Sequence, residues 1–191
     1  TYAKIKESSD LECQQGGKLM DALFSLKTAG APLYEAFPYP NCENVSVELD
    51  EQASTHKIGD VVRLFGPLAP SELKIKALKK ALSDGYPVVI GMRTPLSFFA
   101  IQNVWQPAPG DEKTPVMDSG HAMCVIGYDD TKYGGAFRIV NSWGNQWAEA
   151  GFCWVRYKDL AHYTLYAFQA FPDFNAPVES VTTPLKGKLN L

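Results

Sequence analysis

Two short stretches carry the side chains with the most chemical potential. Asp118-Ser119-Gly120-His121-Ala122-Met123 places an imidazole at the head of an apolar run. Asn141-Ser142-Trp143-Gly144-Asn145-Gln146-Trp147 places a carboxamide and two indoles 20 residues further on. Ala122 to Tyr128 and Phe137 to Asn141 read as strands, with Asp129-Asp130 and Gly134-Gly135 marking the turn between them. In a hairpin of neighbouring antiparallel strands, the start of the first lies beside the end of the second. His121 and Asn141 are therefore expected side by side. An amide oxygen accepting from one ring nitrogen fixes the tautomer and leaves the other nitrogen for proton transfer. Trp143 is placed to cover that bond from water, which strengthens it. The competing reading is a structural His at a strand end beside a turn-forming Asn-Ser pair. A Gly next to the His and two Trp beside the Asn weigh against it.

The four cysteines, Cys13, Cys42, Cys124 and Cys153, include no C-x-x-C pair, which speaks against a zinc or redox motif. Their even count permits disulfides and an oxidising compartment, in any of three pairings or in none. Cys124 and Cys153 fall inside expected core strands, where cysteine acts as a small buried residue. Cys13 lies ahead of an expected helix whose N-terminus would lower a thiol pKa. His56, in a polar stretch, and His162, after the last expected core strand, are expected to be surface or core-satisfied rather than catalytic.

The surrounding elements set the frame for these groups. Tyr2 to Glu7 reads as the end of a truncated helix, and Lys18 to Thr28 as an amphipathic helix stopped by Gly30. Val45 to Leu49 and Val61 to Phe65 are strand candidates. A second helix starts with Ser71 as its N-cap, with Leu73, Ala77, Leu78, Ala81 and Leu82 forming one apolar face and Lys74, Lys76, Lys79 and Lys80 falling largely on the other, a solvated surface. Val88 to Met92 and Gly151 to Tyr157 read as strands, and Gln106 to Pro115 as a surface loop. Helices first and antiparallel strands later make an α+β layout with a cleft between two parts. Charged residues are 20% of the chain and the net charge is -3, which gives no case for nucleic acid. No apolar run approaches the roughly 20 residues that span a bilayer. The first residues lack a starting Met and a signal-like apolar stretch, so the expectation is a processed or trimmed chain.

The residues quoted above resemble the His and Asn motifs of the papain family of cysteine peptidases, with Gly151-Phe152 following as the family has it. Gln15-Gly16-Gly17-Lys18-Leu19-Met20-Asp21-Ala22 is similar to the family's Asn-Gly-Gly loop and following helix. Phe37-Pro38-Tyr39 with Cys42 resembles its Tyr-Pro-Tyr segment and nearby disulfide cysteine. Gly85-Tyr86-Pro87-Val88 before Gly91, and Ser97-Phe98-Phe99, also match, and the likeness runs in order from about residue 2 to 171. It implies a papain-like two-part fold, a helical part and an antiparallel β part, that is N-terminally incomplete. Residues 1–172 would form the peptidase domain without its first helix, and 173–191 a C-terminal extension or surface-wrapping tail.

The resemblance also implies roles. His121 would be general base and acid, paired as imidazolium with a thiolate; Asn141 would orient it; Trp143 would shield their bond and Trp147 line the leaving-group side. Gly16, Gly17 and Gly120 would bind an extended peptide substrate by strand addition, a plain turn being the other reading of Gly16-Gly17. Cys13 and Cys42 would form a disulfide, in a secreted or extracytoplasmic protein. The family's nucleophile sits in a Gln…Cys-Gly-Ser-Cys-Trp segment opening a long helix, with the Gln as an oxyanion donor, and this chain has no such stretch. Cys13, 108 residues before His121, falls short of the family's interval of about 130 or more and has no Trp after it; nucleophile and free thiol remain the lesser readings of it. Two functions stay open. One is a peptidase whose Cys helix comes from a missing segment or a separate chain. The other is a catalytically silent papain-like domain acting as a binding or scaffold subunit. Without its first helix the domain is expected to show a bound partner or a large apolar face. The resemblance implies no cofactor and no metal, a peptide or protein substrate, and no membrane span.

Overall fold

A computed structural model describes residues 2–7, 9–13, 15–33, 35–37, 45–113 and 120–173 of the chain. The expectations for Cys42, Pro38-Tyr39 and the tail beyond Asp173 lie outside these residues. Helices α1 (Tyr2–Ile5), α2 (Leu19–Thr28) and α3 (Val47–Ser54) precede strand β1 (Ile58–Phe65) and helix α4 (Ser71–Ser83). Then follow β2 (Val88–Arg93), a 3-10 turn at Leu96–Phe98, β3 (Val104–Trp105), a second 3-10 turn at Asp111–Lys113, β4 (Gly120–Asp129) and β5 (Ala136–Val140). Strand β6 (Phe152–Arg156), helix α5 (Tyr157–Tyr163) and β7 (Thr164–Pro172) complete the order.

The strands form one seven-stranded sheet in the order β1-β7-β2-β4-β5-β6-β3. Its pairs are antiparallel except β3 with β6. The α+β architecture is as the sequence indicates. Helix α4 shows why the sheet has one closed face. Leu78 and Ala81 lie on one stripe of the helix, are at most 2% exposed, and pack with Val88, Ile90 and Met92 of β2. Leu160 and Tyr163 of α5 join the same core. Burying one such leucine is worth about 1.5–3 kcal/mol.

Several local expectations need correction. Val45 to Leu49 is not a strand. Ser46 caps α3 by accepting from the Leu49 N–H, and Glu48 and Asp50 sit in the first turn, where the helix dipole favours acid. Pro70, not Ser71, holds the N-cap position of α4. Lys74 is not on a solvated face. Its side chain is 4% exposed, and its ammonium donates to the carbonyls of Ala161 (3.1 Å) and Thr164 (2.7 Å). Helix α5 and strand β7 follow β6, so helices and strands interleave, and His162 lies on α5 before the last strand. The stop at Gly30 is as expected. Its φ is +79°, and a Cβ there would come within 1.9 Å of the Ala53 carbonyl oxygen, so only glycine lets α2 turn against α3.

Candidate active site

Strand register brings the chemical groups together. Cys124 on β4 pairs with Val140 on β5, so His121 and Asn141 extend past the same end of that hairpin. His121 is also held from the other side, opposite Met92 of β2. The chain after β5 is closed by backbone bonds from Asn141 N–H to Gly151 O (3.0 Å) and from Gly151 N–H to Trp147 O (2.8 Å). Gly151 has φ +90°, and a Cβ there would meet Gly144 O at 3.3 Å, so this tight return requires glycine. Ala148 and Ala150 take left-handed backbone conformations in the same loop (φ 48° and 53°), which is costly for alanine.

Within this frame His121 Nε2 lies 2.8 Å from Asn141 Oδ1. The Ser142 N–H donates to the same oxygen at 2.8 Å. That second donor identifies the atom as an acceptor, so the ring must present Nε2–H to it. In the neutral ring the proton is then on Nε2, and Nδ1 keeps a lone pair for proton transfer. Trp143 stacks on the imidazole, with centroids 4.7 Å apart and planes at 29°. Phe99 stacks on the same indole at 4.6 Å and 13°, while Phe98 meets it edge-on at 6.0 Å. Trp147, 9% exposed, packs at right angles to Trp143 and tilted on Phe98. Asn141 Nδ2 and Trp147 Nε1 are buried with no hydrogen-bond partner among the described residues.

A cleft of about 720 Å³ opens beside His121. Gly17, Gly120, His121 and Ser142 lie along it, and its walls are Leu19, Ala22 and Leu26 of α2 facing Gly91, Ala122 and Tyr166 of the sheet. Gly17 and Gly120 are exposed, as is Gly16, whose φ is +73°. A shallower hollow of about 310 Å³, lined by Val89, Cys124 and Val140 among others, adjoins it through Ala122 and Ser142. Together they leave an apolar stretch of sheet that no other described residue covers. Cys124 and Cys153 are free thiols, and burial raises the pKa of both, that of Cys153 to about 12. Neither is poised as a thiolate. His56 contacts Thr55 and the Gln52 carbonyl, and His162 is exposed against Tyr163; neither comes near His121 in these contacts. Among the described residues no group of His, Cys, Asp and Glu is arranged to hold a metal, and no helix is long and apolar enough to cross a membrane. The sequence reading gave no role to Phe98, Phe99 or the Ser142 amide. The signal for the first two was two adjacent aromatics a few residues after a buried strand.

Comparison with known proteins gives the family and the fold. A family model described as papain family cysteine protease matches residues 4–169. An uncharacterized peptidase C1-like protein of Acanthamoeba polyphaga mimivirus is 30% identical over 120 residues, covering 60% of this chain and 37% of that protein. Xylellain, a cysteine protease from Xylella fastidiosa, superposes with a TM-score of 0.67 at 24% identity, over 83% of this chain and 62% of its own. The bromelain protease from Ananas comosus, solved in complex with the E64 inhibitor, gives 0.64 at 15% identity, over 90% and 77%. At these identities the structural matches show the fold. The chain spans less than two thirds of the mimivirus protein and of xylellain. Its match along most of its length to the family model means that the chain belongs to the papain family of cysteine proteases.

Proposed function

We propose that this chain supplies the His and Asn of a peptide-bond-cleaving cysteine peptidase, with the nucleophilic cysteine carried on a segment or separate chain that fills the open cleft. The observation that carries this reading is the His121 ring, tied by Nε2 to Asn141 and with Nδ1 making no hydrogen bond among the described residues, at the edge of an apolar cleft. A thiolate beside Nδ1 would attack the scissile carbonyl carbon. His121, as imidazolium, would then give its proton to the leaving amine, and a thioester would remain. In the second half His121 would take a proton from water as it attacks the thioester, and the sulfur would leave as a thiolate, so that the starting thiolate–imidazolium pair is restored as the acid product departs. Asn141 holds the ring in the needed tautomer, Trp143 keeps water off their bond, and Trp147 backs that indole on the leaving-group side. Gly16, Gly17 and Gly120 leave backbone groups open to an extended peptide.

Residues 1–172 serve in this reading as the peptidase domain, completed by the cysteine-bearing segment, and 173–191 as an extension. Cys13 and Cys42 form a disulfide, which the free state of Cys124 and Cys153 supports by leaving those two as the remaining pair. A disulfide fits a secreted or extracytoplasmic setting. One observation favours the silent, scaffold reading instead: both described free thiols are held protonated by burial. A thiol-directed epoxide inhibitor decides between them. Applied to the natively purified protein, it is expected to label a cysteine outside the four of this chain, on polypeptide bound at the cleft. His121→Ala should lower labelling by roughly 10²–10⁴-fold, the usual contribution of a general base. No labelling of the native assembly would leave the scaffold reading standing.

A further inference from the structure

The indole that covers His121 is itself held by a turn, and the turn by a buried carboxylate. Phe98 and Phe99, which grip Trp143, lie at the end of the 3-10 turn Leu96–Phe98. Phe98 is fully buried, but Phe99 leaves 52% of its surface exposed, so burial alone does not fix its ring. The turn is pinned through its middle residue. Ser97 Oγ donates to Asp111 Oδ2 at 2.5 Å and accepts from Trp105 Nε1 at 2.9 Å. The same Asp111 oxygen accepts from the Ala108 N–H at 2.7 Å. Asp111 is 9% exposed, and Trp105, wholly buried, also meets Phe98 edge-on at 5.3 Å. Burying a carboxylate is expensive unless its bonds secure something.

We propose that Asp111 is a positioning residue of the site: through Ser97 it sets the Phe98-Phe99 grip on Trp143, and so the stacking of the indole on His121. Charge-assisted hydrogen bonds fix the turn, the turn fixes two aromatic contacts, and those fix the cover over the His121–Asn141 bond. With the cover displaced, water competes for Asn141 Oδ1, and the preference for one ring tautomer weakens. The catalytic value of this relay rests on the proposed peptidase role. The relay itself does not, because it is a statement about geometry in this chain.

The test is NMR of the full chain with labelled histidine. In the wild type, the His121 ring protons should carry an upfield ring-current shift from the indole, and long-range nitrogen correlations should report a ring protonated on Nε2. Asp111→Ala should lose the upfield shift and mix the tautomers, with the His56 signals unmoved. Asp111→Asn should lie between wild type and Asp111→Ala, since one amide oxygen can take both the Ser97 and the Ala108 donors but without the charge that strengthens them. A folded Asp111→Ala chain with unchanged His121 signals overturns the proposal. Should that variant fail to fold, Phe99→Ala, a change at an exposed ring, must shift the same His121 signals. Wild-type signals in Phe99→Ala would overturn the relay equally. A merely structural Asp111 would lower stability without moving these signals. Because no turnover is read, failure of the peptidase reading would leave this result untouched.

Discussion

Strands β2 and β4 present two faces with opposite fates. On one face Val88, Ile90, Met92, Met123 and Val125 are at most 4% exposed beneath α4 and α5. On the other, Val89, Gly91 and Cys124 are only half-buried, Ala122 is exposed, and Ile126 shows 42% of its surface. Both faces are apolar, so sequence hydrophobicity does not separate them. What separates them is a cover: the chain folds two of its own helices onto the first and leaves the second as the floor of a cleft. His121 and Asn141 stand at the end of that open floor, where a partner group can approach. A continuous apolar surface left open among the described residues marks a place where other polypeptide can dock.

The largest expected effect probes the closed face. Ile90→Ala removes three carbons from a fully buried site and should cost about 2–5 kcal/mol. Val89→Ala, one residue along but on the open face, should cost about 1 kcal/mol or less. Urea unfolding of the two variants with unchanged m-values checks the contrast. Equal losses would mean that the second face is packed in solution, and the two-faced description would fall.

A smaller effect sharpens the closed side. Lys74 reaches through the core stripe of α4 to carbonyls at the end of α5 and the start of β7, and its ammonium also lies 5.7 Å from the Phe65 ring centroid. Lys74→Met keeps the bulk but leaves two carbonyls without their donor, an expected loss of about 1–3 kcal/mol at neutral pH. Desolvation, and secondarily the Arg93 charge, hold the Lys74 pKa below its ordinary 10.5. A group with a depressed folded pKa contributes stability that is present above the unfolded value and fades as pH falls through the folded one. The gap between wild type and Lys74→Met should therefore widen as pH rises toward 10.5. A gap that narrows over that window would show that the ammonium is not desolvated.

These particulars also mark what could be read from residues alone. The β4–β5 hairpin was legible because strand alternation and the Asp-Asp and Gly-Gly turns act locally, and register then follows from the turn. Gly30 was legible for the same reason. Lys74 was not, because helical periodicity places it among lysines and only the arrival of the α5 end makes it a buried donor. The α3 helix was misread because Val45, Val47 and Leu49 alternate like a strand, while a cap and two acids decide otherwise. At the site, His121 and Asn141 could be paired from hairpin geometry. The Ser97–Asp111 bond could not, since it joins residues across a loop whose path no period encodes.

The smallest effect tests whether the open face is open. Cys153 is fully buried on the closed side, and burial lifts its pKa from 9.0 to about 12. At pH 8 this leaves about a thousandfold less thiolate than in the unfolded chain, where each pKa unit is a factor of ten. Cys124, half-buried at the edge of the hollow, is raised as well, chiefly by burial. A thiol reagent in native buffer should therefore modify Cys124 slowly and Cys153 only on unfolding, read by peptide mass. Raising the pH past 9.0 should quicken Cys124 first. It should also erode stability through Cys153, because a folded pKa above the unfolded one gives stability that is lost as pH climbs. Polypeptide seated in the cleft and hollow should slow Cys124 and leave Cys153 as it was. Equal protection of both thiols in the isolated chain would show that the second face is already covered, and would remove the space in which a nucleophile is to be received.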